Sequence, residues 1–289
     1  MIMKNLKLFI ELTRLDKPIG YMLLFWPCLW GLTIAYNFNN KLDIFIYYAF
    51  LFFTGSILMR SAGCIVNDIV DRNFDKKVER TKNRPIAAGK ISIKLAFIYS
   101  VFLCLLALIV LINFNKLTII LAICSMPLAF SYPLMKRFTY WPQLFLGITF
   151  NYGLILGWTS VNQNVNLAII LLYFGAIFWT LGYDTIYGFQ DIKDDEIIGI
   201  KSTSIKFKKN PSFLLYTCYL ILYISFLSTG ILMNFNLAYF GFSLIIFLHL
   251  FFYQLKKLNT NNPSVCLKLF KSNNFFGFLV FLNILIGKL

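Results

Sequence analysis

Acidic side chains are rare in this sequence, and most of them fall in two short clusters. Only 12 of the 289 residues are Asp or Glu. Nine of these acids form the clusters: Asp68, Asp71, Asp75 and Glu79 in the first, and Asp184, Asp191, Asp194, Asp195 and Glu196 in the second. In a chain this apolar, such grouping indicates chemistry rather than solubility.

The spacing inside each cluster predicts oxygen ligands along one side of a helix. Asn67, Asp71 and Asp75 lie at i, i+4 and i+8, so their side chains stack on one face. The second cluster also places three acids on one face, at i, i+7 and i+11: Asp184, Asp191 and Asp195. Carboxylate and amide oxygens are the hard ligands that Mg²⁺ takes, with positions left for phosphate oxygens.

The remainder of the chain is apolar enough to require a membrane. Hydrophobic residues make up 59% of the sequence and the mean hydropathy is +0.71, whereas soluble domains are about 45–50% apolar. We expect one polytopic domain over 1–289, entirely α-helical. Its apolar stretches are of spanning length, about 17–25 residues, and nine are predicted: 18–37, 44–66, 92–113, 117–135, 141–160, 167–189, 212–233, 236–255 and 272–287.

Basic residues predict the orientation in the membrane. The formal charge of +15 could indicate nucleic acid binding, but Lys and Arg are scattered through short loops, so membrane topology explains them better. The basic loops are the amphipathic N-terminal segment with Lys4, Lys7, Arg14 and Lys17, then 67–94, 136–137, 190–211 and 256–271, which together hold 23 Lys and Arg against 3 on the other side. Since Lys and Arg mark the cytoplasmic side, the N-terminus and the active-site loops, about 67–94 and 190–211, are expected there.

Two carboxylate faces with nearby basic residues fit the binding of a diphosphate through metal ions. Placement in a membrane adds that the substrate has an apolar part, and a polyisoprenyl diphosphate meets both requirements. Two other interpretations stay open from spacing alone. Intramembrane acids also serve cation or proton transport, and acids at helix ends can be solvated loop residues. A transporter would carry its acids mid-span on broken helices, whereas these lie at helix ends on one side.

Two long motifs resemble the signatures of the UbiA-type intramembrane prenyltransferases. NDIVDRNFDKKVERTKNRPIAAGKIS, at 67–92, is similar to the first, and GYDTIYGFQDIKDDEIIGIKSTSIKF, at 182–207, to the second. RLDKPIG at 14–20 and SYPLMKRFTYWPQLFLG at 131–147 also look like that family. The set most resembles those members that prenylate 4-hydroxybenzoate in ubiquinone synthesis.

The resemblance implies a bundle of nine transmembrane helices around a central cavity, with two Mg²⁺ between the motifs. Carried over by position, five residues are expected to bind the metal ions: Asn67, Asp71, Asp75, Asp191 and Asp195. The four acids among them are also the expected catalytic residues. Asp68 and Asp194 lie on neighbouring faces and are expected to support this shell. Tyr132 and Lys136 match the family's Tyr-xxx-Lys element. Further expected contacts to the diphosphate are Arg137, Arg72 and Lys193, for which positive-inside anchoring is the alternative.

The implied reaction joins a polyprenyl group to an aromatic ring. The allylic diphosphate ionises, and the ring carbon ortho to the hydroxyl of 4-hydroxybenzoate attacks its first carbon. Arg60 is seven residues before Asn67, about 10 Å deeper at 1.5 Å per residue. We expect it to bind the acceptor carboxylate or to pair structurally, with Arg14 and Lys17 as rival contacts. The alternatives are a different aromatic acceptor or a cation-coupled transporter. Expected partners are the two substrates and the lipid bilayer of a bacterial inner membrane, without nucleic acid.

Overall fold

The fold is all-helical across the part of the chain that the structure, a computed structural model, describes. The backbone is described from Ile2 to Leu289 and side chains from Leu6 onwards, so the side chain of Lys4 lies outside the described residues. The helices are α1 (Ile2–Thr13), α2 (Ile19–Ala35), α3 (Leu42–Asp75), α4 (Ile93–Leu111), α5 (Lys116–Phe138), α6 (Pro142–Thr159), α7 (Leu167–Gly188), α8 (Ile192–Ile198), α9 (Thr203–Lys206), α10 (Pro211–Leu232), α11 (Leu237–Phe247), which continues as a π-helix (Leu248–Leu255), and α12 (Pro263–Lys288).

Local sequence explains where many of these helices begin. Asparagine side chains accept a hydrogen bond from a first-turn backbone N–H at the start of five helices: Asn115, Asn166, Asn210, Asn236 and Asn262. Three helices have proline in the first turn, where its missing N–H costs nothing: Pro142, Pro211 and Pro263. At these five helices the apolar run is therefore preceded by a polar side chain that satisfies the helix end.

Among the described residues, seven helices are long and apolar enough to cross a membrane: α3, α4, α5, α7, α10, α11 with its π-helical extension, and α12. The chain is therefore an integral membrane protein. Of the other two predicted spans, α2 is apolar but has only 17 residues, and α6 is not among the seven. Large apolar side chains on α4 face outwards, as lipid contact requires: Phe97, Phe102 and Ile109 are each more than half exposed.

Some predicted boundaries were wrong. The last span was predicted over 272–287, but α12 begins at Pro263. The prediction missed its first turns because they carry Lys and Ser, which lower the local hydropathy. Residues 67–75 belong to α3 rather than to a loop, so α3 extends as one helix of 34 residues out of the apolar region. The predicted loop 190–211 contains the short helices α8 and α9.

Glycines bring α2 and α6 into backbone contact at the centre of the bundle. A Cβ at Gly31 would lie 2.0 Å from the carbonyl oxygen of Leu154, and one at Gly157 would lie 2.1 Å from that of Cys28. Small residues allow helices in a membrane to approach this closely. Around this pair, α3 packs mainly with α1, α2, α4 and α5, and α7 packs mainly with α6, α10 and α12. The polar ends of α3, α5 and α7 are thereby held around one opening.

Candidate active site

A polar pocket lies where the two acidic motifs meet. Its volume is about 190 Å³. The first motif contributes residues from the end of α3 and the loop behind it, and the second contributes the end of α7 and α8. The residues that carry charged, amide or phenol groups into it are Asn67, Asp71, Asp75, Arg80, Arg84, Tyr132, Lys136, Gln143, Asp184, Tyr187, Asp191, Asp195 and Lys201. The pocket therefore combines carboxylates of both motifs with several cations.

α3 carries the first motif on its last turns. Asp71 and Asp75 are buried, one turn apart, and Asn67 lies a further turn inward. Lys136 of α5 forms an ion pair with Oδ2 of Asp71. Oδ1 of Asp71 is buried without a hydrogen-bond partner in the described residues. An unpaired buried carboxylate oxygen is costly, so this atom is suited to a cation.

The loop after α3 folds back over the motif that precedes it. Nη1 of Arg84 lies 3.0 and 2.9 Å from the two carboxylate oxygens of Asp75 and 3.2 Å from Oδ1 of Asp68. Arg14 pairs with the same oxygen of Asp68 from the segment after α1. Ile86 of the loop is buried in an apolar cluster with residues of α1, α3 and α4, and this anchors the loop. Asp68 thus has a supporting role, because it holds the loop and the N-terminal segment together.

The second motif is not one helical face, contrary to the spacing argument. α7 ends at Gly188, and Asp191 lies at the residue before α8 begins. Only Asp184 is on α7, while Asp195 is on α8. The chain turns at 189–191, where Gln190 and Asp191 donate backbone hydrogen bonds three residues back. All three acids still line the pocket, because the turn directs α8 back across its mouth.

Arg80 joins the two motifs directly. Its Nε lies 2.8 Å from Oδ1 and 3.0 Å from Oδ2 of Asp191, and its Nη1 donates to the hydroxyl of Tyr187 at 2.6 Å. Burial opposes the charged form of Arg80, but the hydrogen bond to Asp191 outweighs this and raises the pKa of the guanidinium. A second link is the backbone N–H of Glu79, which donates to Asp194 at 3.1 Å. Asp194 is therefore a supporting residue, like Asp68.

Asp195 is an acid of the pocket mouth that forms no ion pair among the described residues. Burial and the neighbouring charge of Asp191 raise the pKa of Asp195 to about 7. A carboxyl group in this position is held ionised by a cation brought next to it. Asp195 is thus a residue that would suit a metal ion bound at the pocket mouth.

Several predicted contacts lie outside the pocket. Arg72 and Lys193 do not line it, and Lys193 is exposed. Arg137 is also exposed and donates at 2.8 Å to the carbonyl oxygen of Val70, with its guanidinium over the ring of Phe74. Lys17 is exposed. Of the basic residues predicted for the diphosphate, the structure brings Lys136 into the pocket, together with Tyr132.

Arg60 lies deeper along α3 and faces neighbouring helices. Its guanidinium carbon is 5.3 Å from the ring centroid of Phe150, and a Cβ at Gly20 would lie 3.0 Å from its Nε. Among the described residues this Nε is buried without a hydrogen-bond partner, and Arg60 forms no ion pair within 4.0 Å. The structural pairing considered for Arg60 is therefore not seen, and a charged group is left available.

Two site residues were missed by sequence reasoning. Arg80 and Arg84 both lie in the first motif, five and nine residues after Asp75, but in this motif only Asn67, the acids and Arg72 were given roles. Their spacing of four residues would place both side chains on one face of a helix. The loop is not a regular helix, however, and its path is fixed by the burial of Ile86. The direction of their side chains therefore depends on tertiary packing.

The donor set of the pocket fits divalent metal ions of the Mg²⁺ type. Five oxygen-bearing side chains face it from both motifs: Asn67, Asp71, Asp75, Asp191 and Asp195. Among the described residues no three carboxylate, Cys or His side chains converge closely enough to form a preformed metal cluster, since Lys136, Arg84 and Arg80 draw the acids towards themselves. These cations therefore pair with the carboxylates of both motifs.

Sequence comparison relates the chain to proteins of known activity. The sequence profile of the UbiA prenyltransferase family matches residues 24–283. The chain is 43% identical over 287 residues to the mitochondrial 4-hydroxybenzoate polyprenyltransferase of Rattus norvegicus, covering 99% of this chain and 76% of that protein. It is 41% identical over 294 residues to 4-hydroxybenzoate geranyltransferase 1 of Lithospermum erythrorhizon, covering 99% of this chain and 92% of that protein.

Solved structures share the fold. A UbiA homologue from Aeropyrum pernix K1 superposes with a TM-score of 0.75 at 20% identity, over 93% of this chain and 98% of that chain. A UbiA homologue from Archaeoglobus fulgidus, bound to GPP and Mg²⁺, superposes with a TM-score of 0.72 at 19% identity, over 96% of this chain and 99% of that chain. At these identities the likeness concerns the arrangement of helices.

Proposed function

Because the chain belongs to the UbiA prenyltransferase family, we propose that it transfers a polyprenyl group from polyprenyl diphosphate to 4-hydroxybenzoate. The new bond forms at the ring carbon ortho to the hydroxyl, diphosphate is released, and the product belongs to ubiquinone biosynthesis. The observation that carries this proposal is the pocket in which carboxylates of two motifs and four cations face one another at the polar end of an apolar bundle. The rat and Lithospermum relatives, both named for 4-hydroxybenzoate, support the acceptor.

Asn67, Asp71, Asp75, Asp191 and Asp195 would hold Mg²⁺ in this pocket. When bound, Mg²⁺ would neutralise negative charge on the diphosphate as it leaves. The unpartnered Oδ1 of Asp71 and the raised pKa of Asp195 support this assignment. The Archaeoglobus homologue, described with GPP and Mg²⁺ bound, supports the same choice of metal.

The cations of the pocket would bind the diphosphate of the donor. Lys136, Arg80 and Arg84 now pair with Asp71, Asp191 and Asp75. All three line the pocket between the motifs, and charge-assisted hydrogen bonds to phosphate are strong. Tyr132 would orient the head group from α5. Arg137, Arg72 and Lys193 would then act at longer range, through the positive field at the pocket mouth.

The ring of the acceptor would lie on the membrane side of the donor head group. Arg60 would bind its carboxylate, since the buried Nε lacks a partner and a charged Arg at that depth is costly when unpaired. Arg14 is already paired with Asp68, which makes it a weaker rival. The C1–O bond of the donor breaks, the electron pair leaves with diphosphate, and ring π electrons form the new C–C bond. Aromatic side chains near the opening, such as Tyr187, would shield the allylic cation.

The membrane arrangement completes the proposal. Nine helices would span the bilayer, with α2 and α6 added to the seven that meet the length and composition criteria. Their close backbone contact at Gly31 and Gly157 supports placing both in the bundle. The lysine- and arginine-rich loops, with the pocket, would face the cytoplasm at a bacterial inner membrane. The prenyl tail would extend between helices towards lipid.

The test is transfer by purified protein in detergent. Labelled 4-hydroxybenzoate, Mg²⁺ and a series of polyprenyl diphosphates are supplied, with a chelator in the control. We expect a labelled lipophilic product that requires both the diphosphate and Mg²⁺. The series also identifies the prenyl length, in which the names of the two relatives differ. Absence of product with every donor would contradict the proposal, and activity that required a cation gradient in vesicles would favour the transporter.

A further inference from the structure

Asp184 is the one acid of the pocket that the metal and diphosphate assignments leave unused. It lies on α7, one turn before the helix ends at Gly188, and its side chain lines the pocket. Among the described residues its carboxylate takes part in no ion pair within 4.0 Å and in no hydrogen bond. A carboxylate inside a membrane span without a partner is costly and marks a functional position.

Of the other four acids of the pocket, three form ion pairs and the fourth, Asp195, is assigned to the proposed metal site. Asp71, Asp75 and Asp191 are held by Lys136, Arg84 and Arg80. Asp195 stands next to Asp191 on the far side of the turn at 189–191. Asp184 precedes that turn, near the end of α7, and lines the pocket.

The surroundings of Asp184 suit an aromatic acceptor. Tyr132 and Tyr187 line the same pocket. The guanidinium of Arg60 lies within electrostatic reach of both Asp184 and Tyr132. An acceptor whose carboxylate is bound by Arg60 would therefore lie with its ring close to Tyr132 and Asp184. The two charged groups would address opposite parts of one small molecule.

From this arrangement we propose that Asp184 is the catalytic base that removes the ring proton, an inference that rests on the proposed transfer to 4-hydroxybenzoate. When the ring carbon ortho to the hydroxyl has bonded to the prenyl carbon, it carries both the new substituent and its hydrogen, and the ring is cationic. Asp184 takes that hydrogen as a proton. The electron pair of the C–H bond returns to the ring and restores aromaticity. The proton later leaves Asp184 to solvent, and the products are prenylated acid, diphosphate and one proton.

Asp184→Asn tests this role because it keeps the shape of the side chain and removes the base. General base catalysis contributes about 10²–10⁴-fold, so kcat should fall within that range while both KM values change little. Proton removal then becomes the slow step. With 4-hydroxybenzoate deuterated at both carbons ortho to the hydroxyl, the variant should show a primary isotope effect on kcat that the wild type lacks.

Binding of Mn²⁺ alone, followed by electron paramagnetic resonance, separates a base from a metal ligand. Asp184→Asn should bind Mn²⁺ as the wild type does, in contrast to Asp191→Asn. Asp43→Asn is the matched control, since Asp43 is exposed at the start of α3, and it should leave kcat and Mn²⁺ binding unchanged. Asp184→Glu retains a carboxylate and should recover part of kcat, which keeps the test available if the Asn variant is unstable.

Two results would overturn the assignment. Loss of Mn²⁺ affinity in Asp184→Asn without an isotope effect would make Asp184 a metal ligand, and wild-type kcat would leave it without a role. Both are distinct from failure of the proposed function, in which the wild-type protein itself would form no product from 4-hydroxybenzoate. If the wild type is active and only the isotope effect is missing, the base assignment alone is wrong.

Discussion

Arg80 and Asp191 face each other with Nε of the guanidinium 2.8 Å from Oδ1 and 3.0 Å from Oδ2 of the carboxylate. Arg80 belongs to the loop after the first acidic motif, and Asp191 belongs to the second motif. The contact therefore joins two stretches that are more than a hundred residues apart. It also places a cation against one of the proposed metal ligands.

Arg80→Lys should impair use of the diphosphate selectively. Lysine keeps the charge but loses the planar fork that contacts Asp191 and Tyr187 together. Hydrogen bonds to charged groups contribute about 1.5–3 kcal/mol each, so we expect kcat/KM for the polyprenyl diphosphate to fall at least tenfold. The KM for 4-hydroxybenzoate should stay near its wild-type value. Steady-state kinetics with each substrate varied in turn measure both.

Lys82→Arg is the matched control for Arg80. Lys82 lies two residues further along the same loop, is exposed and pairs with Glu79 on the surface. Its substitution should leave all constants unchanged. If Arg80→Lys behaves like this control, the contact with Asp191 holds the loop but has no part in binding the donor.

Arg60→Leu should weaken use of the aromatic acceptor. A broken buried charge pair costs about 2–5 kcal/mol, which corresponds to at least a tenfold rise in the KM for 4-hydroxybenzoate. The KM for the donor should change little, because Lys136 and Arg84 lie in the pocket and Arg60 does not. Arg60→Lys should be a poor substitute, since a lysine cannot make a two-point contact with a carboxylate.

A structural role for Arg60 predicts a different outcome. Protein yield and thermal stability would fall, while the surviving enzyme would keep its acceptor KM. Measurement of both Michaelis constants on purified Arg60→Leu and Arg60→Lys distinguishes the two roles. An unchanged acceptor KM would redirect the search for the carboxylate contact to Arg14 or Lys17.

Single engineered cysteines should establish the orientation of the bundle. Lys82→Cys and Glu196→Cys lie in exposed positions of the two loops at the pocket, and Gln163→Cys lies in the exposed connection between α6 and α7. An impermeant thiol reagent should label the first two from the cytoplasmic side and the third from the other side. Labelling of Lys82→Cys and Glu196→Cys from opposite sides would place the two motifs on opposite sides of the membrane and contradict the shared pocket.

Much of the fold was predictable because the length of each apolar run can be read directly from the sequence. Runs such as 167–189 and 212–233 correspond closely to α7 and α10. The predicted start of α12 was wrong because Lys268 and Lys271 lie on its polar face and lower the local hydropathy. The close contact of α2 with α6 was not predicted either, since it depends on which faces carry Gly31 and Gly157.

The site was predictable where spacing within one helix decides it. Asn67, Asp71 and Asp75 lie on α3 as their i+4 spacing requires. The same argument was wrong for the second motif, because the chain turns after Gly188 and Asp191 precedes a new helix. Arg80 and Arg84 reach the pocket through a loop whose path depends on buried contacts far along the chain. Helical periodicity carries no information about such a loop.

The most direct test of the central claim compares Mg²⁺-dependent transfer by Asp71→Asn, Asp191→Asn and the control Asp43→Asn. Each change removes one negative charge at nearly constant shape, and a site for Mg²⁺ depends on that charge. At saturating Mg²⁺, polyprenyl diphosphate and 4-hydroxybenzoate, the first two variants should lose turnover by orders of magnitude although they insert normally, while Asp43→Asn should match the wild type. Near-wild-type turnover in either Asp71→Asn or Asp191→Asn would contradict a metal site shared by the two motifs.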